Sequence, residues 1–453
     1  MLRAGPLIRQ YLVVIVANLS VFCVGLGLAW PSPVLVKLRN STETVLSRPI
    51  TEEEGSWIVS IGTLGGFLAI FTVPFLVDFI GRKYCVVLAC IPKLISCLLL
   101  IFATEVWMIL LARAINGLSD SFTFTVVPMY ASEVASKEVR GGLGTILQIV
   151  CSTGIVIMLC MGPFTPYIPL NGIMTCFVIT ATIPILFLPD SPYFLYSKGR
   201  TEEALKVLTF LRGSETKASE EIKEYALAQS DVKVNRREIL KDKVFLKGLG
   251  IVILLGIGVQ VTGFNAVTFY LQTVFESTQT SVKSEIASVV IGLIQLTASF
   301  CTTVVTDRFG RKPILCTTLV GMTIGMLGLG VFFKIKENSD QITGFVNYLP
   351  LVSLILVVFC FSAGLGSLTW PLTAELFDGQ TRSLGLSISL LPSTIAIFLT
   401  TKYFAFLTNS IGPAPTYWIF SVNCVLMCLF IAFCVPETKG KSFAEIQKIL
   451  GGK

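Results

Sequence analysis

Histidine is missing from all 453 residues, which removes His-ligated metal centres, Ser-His-Asp triads and imidazole proton relays together. Charge is scarce as well: 14% of the residues are Asp, Glu, Lys or Arg and 53% are hydrophobic, against about 25% charged in an ordinary soluble domain. That little polar surface excludes a water-soluble enzyme of this length. No Gly-x-x-x-x-Gly-Lys-Ser/Thr loop is present to hold a triphosphate. There is no charged ring or carbonyl filter of the kind a channel needs, and no nucleophile–base set. No cofactor, metal or nucleic acid is expected. The 13 cysteines lie mainly in apolar runs and read as small hydrophobes rather than a disulfide framework.

The chain does contain long apolar runs. A bilayer-spanning helix takes about 20 apolar residues, and twelve such spans can be placed at 11–30, 57–77, 84–103, 107–131, 142–162, 168–188, 247–272, 286–306, 313–333, 348–374, 383–407 and 415–435. The first reads as a span and not a removable signal peptide, because it lacks a small-residue cleavage pattern. With both termini on the cytoplasmic side, Lys37, Arg39, Arg48, Lys283, Lys334 and Lys336 fall outside, as does Lys402 at the outer end of span 11, and Lys93 and Arg113 fall within spans. The great majority of the 35 Lys and Arg residues are then inside, as insertion favours. The outer loop 31–56 carries Asn40-Ser41-Thr42, a glycosylation acceptor.

These features predict an all-α membrane protein made of an N-terminal six-helix bundle (1–189), a cytoplasmic helical linker (190–247), a C-terminal six-helix bundle (248–436) and a cytoplasmic tail (437–453). Within the linker, Thr201-Glu202-Glu203 is expected to cap one helix and Ser219-Glu220-Glu221 to open another. The two halves repeat a chemical skeleton. Asp78-Phe79-Ile80-Gly81-Arg82-Lys83 follows span 2 and Asp307-Arg308-Phe309-Gly310-Arg311-Lys312 follows span 8. Glu133 and Arg140 follow span 4 as Glu375 and Arg382 follow span 10, and Pro189-Asp190-Ser191 is matched by Pro436-Glu437-Thr438. A parallel repeat of this kind builds a transporter from two bundles. Glycine in each Asp-x-x-Gly-Arg-Lys permits a tight turn. Asp78, Arg82, Glu133, Arg140, Asp307, Arg311, Glu375 and Arg382 would form a charge latch on the cytoplasmic face, since a planar guanidinium suits bidentate pairing with a carboxylate.

These motifs, with Pro128-Met129-Tyr130-Ala131-Ser132-Glu133, Gln260-Val261-Thr262-Gly263-Phe264-Asn265 and Pro436-Glu437-Thr438-Lys439-Gly440, carry a resemblance. The chain resembles the sugar porters of the major facilitator superfamily, most closely the insect facilitated trehalose-transporter-like branch, from Val14 to Leu450. The resemblance implies the major facilitator fold and a sugar site near mid-membrane, lined by Gln148, Gln260, Asn265, Gln295 and Trp370, with Tyr270 at an outer gate. Neutral amides suit such a site: they donate and accept hydrogen bonds and cost less to bury than charges. Taken alone, each buried amide could equally be interhelical glue.

Departures from the family pattern are also present. Val259 replaces a glutamine, Gly364-Leu365-Gly366-Ser367 replaces a Gly-Pro run and should kink span 10 less readily, and Ser393-Thr394 replaces Asn-Trp. The C-terminal half of the site is therefore expected to be poorer in polar groups. Lys93 lies twelve residues after Gly81 and Asp120 thirteen before Glu133, about 18 and 20 Å along their helices, so an intramembrane ion pair is expected. Span 1 has no acid, whereas proton-coupled sugar porters place one there. Facilitated transport of a small sugar, hexose or trehalose, by alternating access in the plasma membrane is the leading reading. The rivals are a proton–sugar symporter using Asp120 and a sugar-binding sensor with little transport.

Overall fold

The computed structural model describes residues 5–136, 139–230, 241–279, 282–338, 344–377, 382–439, 441 and 443–451. Within these, the side chains of 140–145, 227–230, 303–308, 370–371, 374–375, 382–384, 387, 443–444 and 447 are not described. Each predicted span coincides with helix: Pro6–Ala29, Glu52–Ile80, Arg82–Ile101, Val106–Val134, Arg140–Met161 and Tyr167–Leu186 in the first half. In the second half span 7 is Lys243–Val261, Phe264–Phe269 and Leu271–Thr278, and span 8 is Ser284–Phe309. Span 9 is Arg311–Asn338, span 10 is Leu349–Ala363 with Leu365–Glu375, span 11 is Arg382–Ser410 and span 12 is Pro413–Cys434. Among the described residues ten helical stretches are long and apolar enough to cross a membrane, and Ile146–Met161 is a shorter apolar one. The remaining helix, Val106–Val134, carries Arg113, Asp120 and Glu133.

Four local expectations are corrected. The segment after span 1 is not all loop: Pro31–Arg39 is helical, because Pro31 and Pro33 sit in the first turn, where a missing N–H costs nothing. The second linker helix opens at Glu215, not Ser219, and Glu215 itself supplies the acid that favours the first turn. The first linker helix runs Thr201–Arg212 with Arg200, not Thr201, in the capping position. Span 10 breaks at Gly364 without any proline: Gly364 has φ −116° and ψ −99°, outside the helical region.

The chain forms two compact units. One comprises Met1–Leu28, Leu64–Ile155 and Ile168–Lys233; the other comprises Ala29–Thr63, Val156–Tyr167 and Val234–Lys453. The first unit has a core of Val13, Val14, Ala17, Val21, Val73, Val86, Val126, Val127 and Tyr130. Lipid tails are as apolar as these side chains, so helix association rests on close packing and hydrogen bonds rather than water exclusion. Spans 1 and 5 show this: a Cβ on Gly25 would stand 2.2 Å from the Cys151 carbonyl oxygen, and one on Gly154 2.3 Å from that of Phe22. The second unit is held by an aromatic cluster, with Phe404 against Tyr270 (5.3 Å between centroids), Tyr417 (6.4 Å) and Phe420 (6.1 Å).

Candidate functional site

Span 7 is interrupted where the sequence reads Val261-Thr262-Gly263. Gly263 has φ +82°, a left-handed conformation that L side chains avoid, and a Cβ there would meet the Phe420 ring at 2.4 Å. The interruption turns the two amides of Gln260 and Asn265 toward each other: Asn265 Nδ2 donates to Gln260 Oε1 at 2.6 Å. Gln260 Nε2 donates to Ser393 Oγ of span 11 at 3.3 Å, and Ser393 Oγ donates to the Gly256 carbonyl at 3.3 Å. The cluster is neutral, half-buried and rich in groups that both donate and accept. Beside it the Phe264 and Phe361 rings stack at 3.5 Å and 7°, offering flat apolar surface from spans 7 and 10. By sequence Ser393 is a loss of polar capacity; the fold instead returns its hydroxyl to Gln260. Only a cross-helix register, absent from the sequence, could have revealed it.

The other expected site residues are placed as follows. Gln295 is buried in span 8 at 7% exposure. Tyr270 is buried between two short helices of span 7, its hydroxyl reaching the Thr401 carbonyl at 3.5 Å. Gln148 is half-buried in the first unit, donating to Ser152 Oγ at 3.4 Å. The Trp370 side chain lies outside the described residues.

Of the expected latch residues in the first half, Arg82 and Glu133 are joined in one network with Ser191. Arg82, with a side chain 8% exposed, donates from Nε to Glu133 Oε1 at 3.0 Å, and Ser191 Oγ donates to Glu133 Oε2. The Tyr193 and Phe194 rings flank the guanidinium at 5.9 and 5.5 Å. Asp78 is peripheral, 3.8 Å from Arg82 and largely exposed. In the second half the backbone N–H of Arg311 donates to Glu437 Oε1 at 3.1 Å; the side chains of Arg140, Asp307, Glu375 and Arg382 lie outside the described residues. The two glycine turns match, Gly81 with φ +94° and Gly310 with φ +87°.

The expected intramembrane pair is present. Lys93 Nζ lies 2.7 Å from Asp120 Oδ1, and Asn116 Nδ2 donates to Asp120 Oδ2 at 2.7 Å. Arg113 donates to the Gly27 carbonyl at 3.0 Å.

Comparison with known proteins follows the same lines. The family model for sugar (and other) transporters matches residues 13–450. A facilitated trehalose transporter, Tret1, of Polypedilum vanderplanki is 32% identical over 449 residues, which cover 98% of this chain and 88% of that protein. A solute carrier family 2 facilitated glucose transporter, member 6, of Mus musculus is 30% identical over 462 residues, 98% of this chain and 92% of that one. Among solved structures, the major facilitator superfamily proton:xylose symporter XylE matches with a TM-score of 0.77 at 22% identity, covering 97% of this chain and 99% of that one. At that identity the likeness is one of fold.

Proposed function

Because the chain belongs to the family of sugar (and other) transporters and is a multi-pass membrane protein, we propose that it is not an enzyme but a facilitative carrier of a neutral sugar, a hexose or trehalose, working by alternating access. We place it in the plasma membrane with both termini cytoplasmic and the segment around Asn40 outside, where that asparagine is glycosylated. The observation that carries the reading is the neutral Gln260–Asn265–Ser393 cluster at the break in span 7, beside the stacked Phe264 and Phe361 rings. Hydroxyls of a sugar would exchange with the internal amide bonds one for one, at modest net cost, while its C–H face meets the rings. A broken helix leaves backbone and side-chain polar groups free to serve a solute at membrane depth. Gln295, Trp370 and Tyr270 complete the proposed site in the second unit, Gln148 is the sugar contact proposed for the first, and the Arg82–Glu133–Ser191 network is the first-half part of the proposed inner latch.

Uniport rather than symport is supported by the absence of any acid in span 1 and by the engagement of both Asp120 oxygens with Lys93 and Asn116. The test is counterflow of a labelled sugar panel in proteoliposomes carrying an internal pH dye, wild type beside Gln260→Ala. Gln260→Ala removes a hub that bonds two partners, and exchange should fall roughly tenfold or more, in line with losing about 1.5 kcal/mol. Inward acidification with sugar would replace the uniporter by a symporter. Binding without exchange would make it a sensor.

A further inference from the structure

The compact unit that holds the second half also contains residues 29–63 of the first, and the contacts that bind this segment are specific. Lys402 of span 11 sets its ammonium 4.1 Å from the centroid of the Trp57 ring and donates to Ser56 Oγ at 2.7 Å. Trp57 also packs on Phe398 at 6.1 Å, one turn before Lys402. Asn409 Nδ2, two turns further on, donates to Glu52 Oε2. At the next contact the Gln272 backbone N–H of span 7 donates to Ser32 Oγ at 3.1 Å, with Ser32 fully buried. The helix carrying Ser32 is itself fixed: buried Lys37 donates to the carbonyls of Pro163 and Thr165 at 3.2 and 2.8 Å. Every one of these contacts joins a segment of the first half to one of the second, apart from the Lys37 tie.

We propose that Lys402, seated on Trp57 and Ser56, is the fastening of an outer lock that holds the extracellular side closed, with Asn409–Glu52 and Gln272–Ser32 as its flanking ties. This rests on the orientation and alternating access proposed above. A long lysine suits the task. Its ammonium satisfies a hydroxyl and an aromatic face together, yet it can withdraw into water when the halves part, leaving no unpaired buried charge.

The experiment needs no substrate. In full-length protein with Cys160→Ser, a Gln272→Cys reporter is labelled from outside with a membrane-impermeant maleimide. Lys402→Met should speed labelling roughly fivefold or more, the size of losing a partly buried cation–π contact and its hydrogen bond, and Trp57→Leu should do the same. Lys402→Arg, which keeps the cation over the ring, should return labelling to the slow rate. Equal rates in Lys402→Met and the parent would overturn the lock, as would failure of Lys402→Arg to slow labelling. If Lys402→Met does not fold, oxidative cross-linking of Ser56→Cys with Lys402→Cys replaces it: slowed reporter labelling that reductant restores supports the lock, and no change sinks it. A labelling shift without sugar exchange leaves the lock standing and removes the proposed function; sugar exchange without a labelling shift does the reverse.

Discussion

At the scale of single residues the most telling group is Asp120, because the membrane interior makes every charge expensive. Its carboxylate is bound by Lys93 and Asn116, and the room for the ammonium comes from Gly27, where a Cβ would stand 2.7 Å from Lys93 Nζ. Removing one partner strands the other in hydrocarbon, which costs about 3–5 kcal/mol in buried pairs. Lys93→Asp and Asp120→Lys are therefore each expected to lose monodisperse folded protein in size-exclusion chromatography. The double exchange should recover it, because the Asn116 amide can turn its oxygen to the relocated lysine. Single variants that elute like wild type, or a double exchange no better than either, would remove the pair from the account. This contact was legible in the sequence, since the rise of an α-helix converts the distances from Gly81 and Glu133 into nearly equal depths. The Ser393–Gln260 contact was not, because it depends on how spans 7 and 11 rotate against each other, and apolar runs in a membrane say little about rotation.

At the scale of helices, length and position followed from composition, while interruptions did not. Proline signals a break from sequence; Gly364 and Gly263 break their spans through close approach instead. A Cβ on Gly364 would stand 2.0 Å from Thr318 Oγ1, and that on Gly263 would enter Phe420. Glu437 caps the helix beginning at Arg311, accepting from the N–H groups of Arg311, Lys312, Thr438 and Lys439 at 3.1, 3.0, 3.1 and 2.9 Å. Asp190 is the corresponding acid of the first half, and its Oδ1 accepts from the Ser191 N–H at 2.8 Å. Burial pushes the Asp190 carboxyl above its ordinary range. Burial also pushes Glu437 up, but its backbone donors outweigh that and hold it below the usual range. A depressed carboxylate contributes stability above the unfolded pKa of about 4.3, and that contribution is lost as pH falls through the folded value. Glu437→Gln should thus cost about 1 kcal/mol at neutral pH, as other lost caps do, and the gap to wild type should close below about pH 4. Thermal unfolding followed by tryptophan fluorescence across pH 3.5–7.5 measures it; a gap that stays constant into acid would mean the charge is not what caps the helix.

For the whole molecule, the doubled skeleton foretold a two-bundle transporter, since matched motifs after equivalent spans are the trace of a repeated fold. The contacts of the outer segment were hidden, because Trp57, Lys402 and Asn409 belong to no motif. Orientation in the membrane ties these readings together, for it decides which lock is inner and which outer. Positive charge argues for cytoplasmic termini, and Asn40 supplies an independent check. It is exposed at the end of Pro31–Arg39, and Thr42 donates from both N–H and Oγ1 to its Oδ1, at 3.1 and 2.8 Å, so the acceptor triplet is folded onto itself on the surface. Expressed in a eukaryotic cell, the chain should show a glycosidase-sensitive shift in gel mobility that Asn40→Gln abolishes. Asn18→Gln, in the second acceptor triplet Asn18-Leu19-Ser20, should leave the shift intact, since Asn18 is buried within span 1 and bonded to the Val14 carbonyl. An acceptor triplet inserted at Gly213, between the linker helices, should remain unmodified. Glycan at Gly213 and none at Asn40 would invert the molecule, turn the Arg82–Glu133 network outward and make the Lys402 lock an inner one.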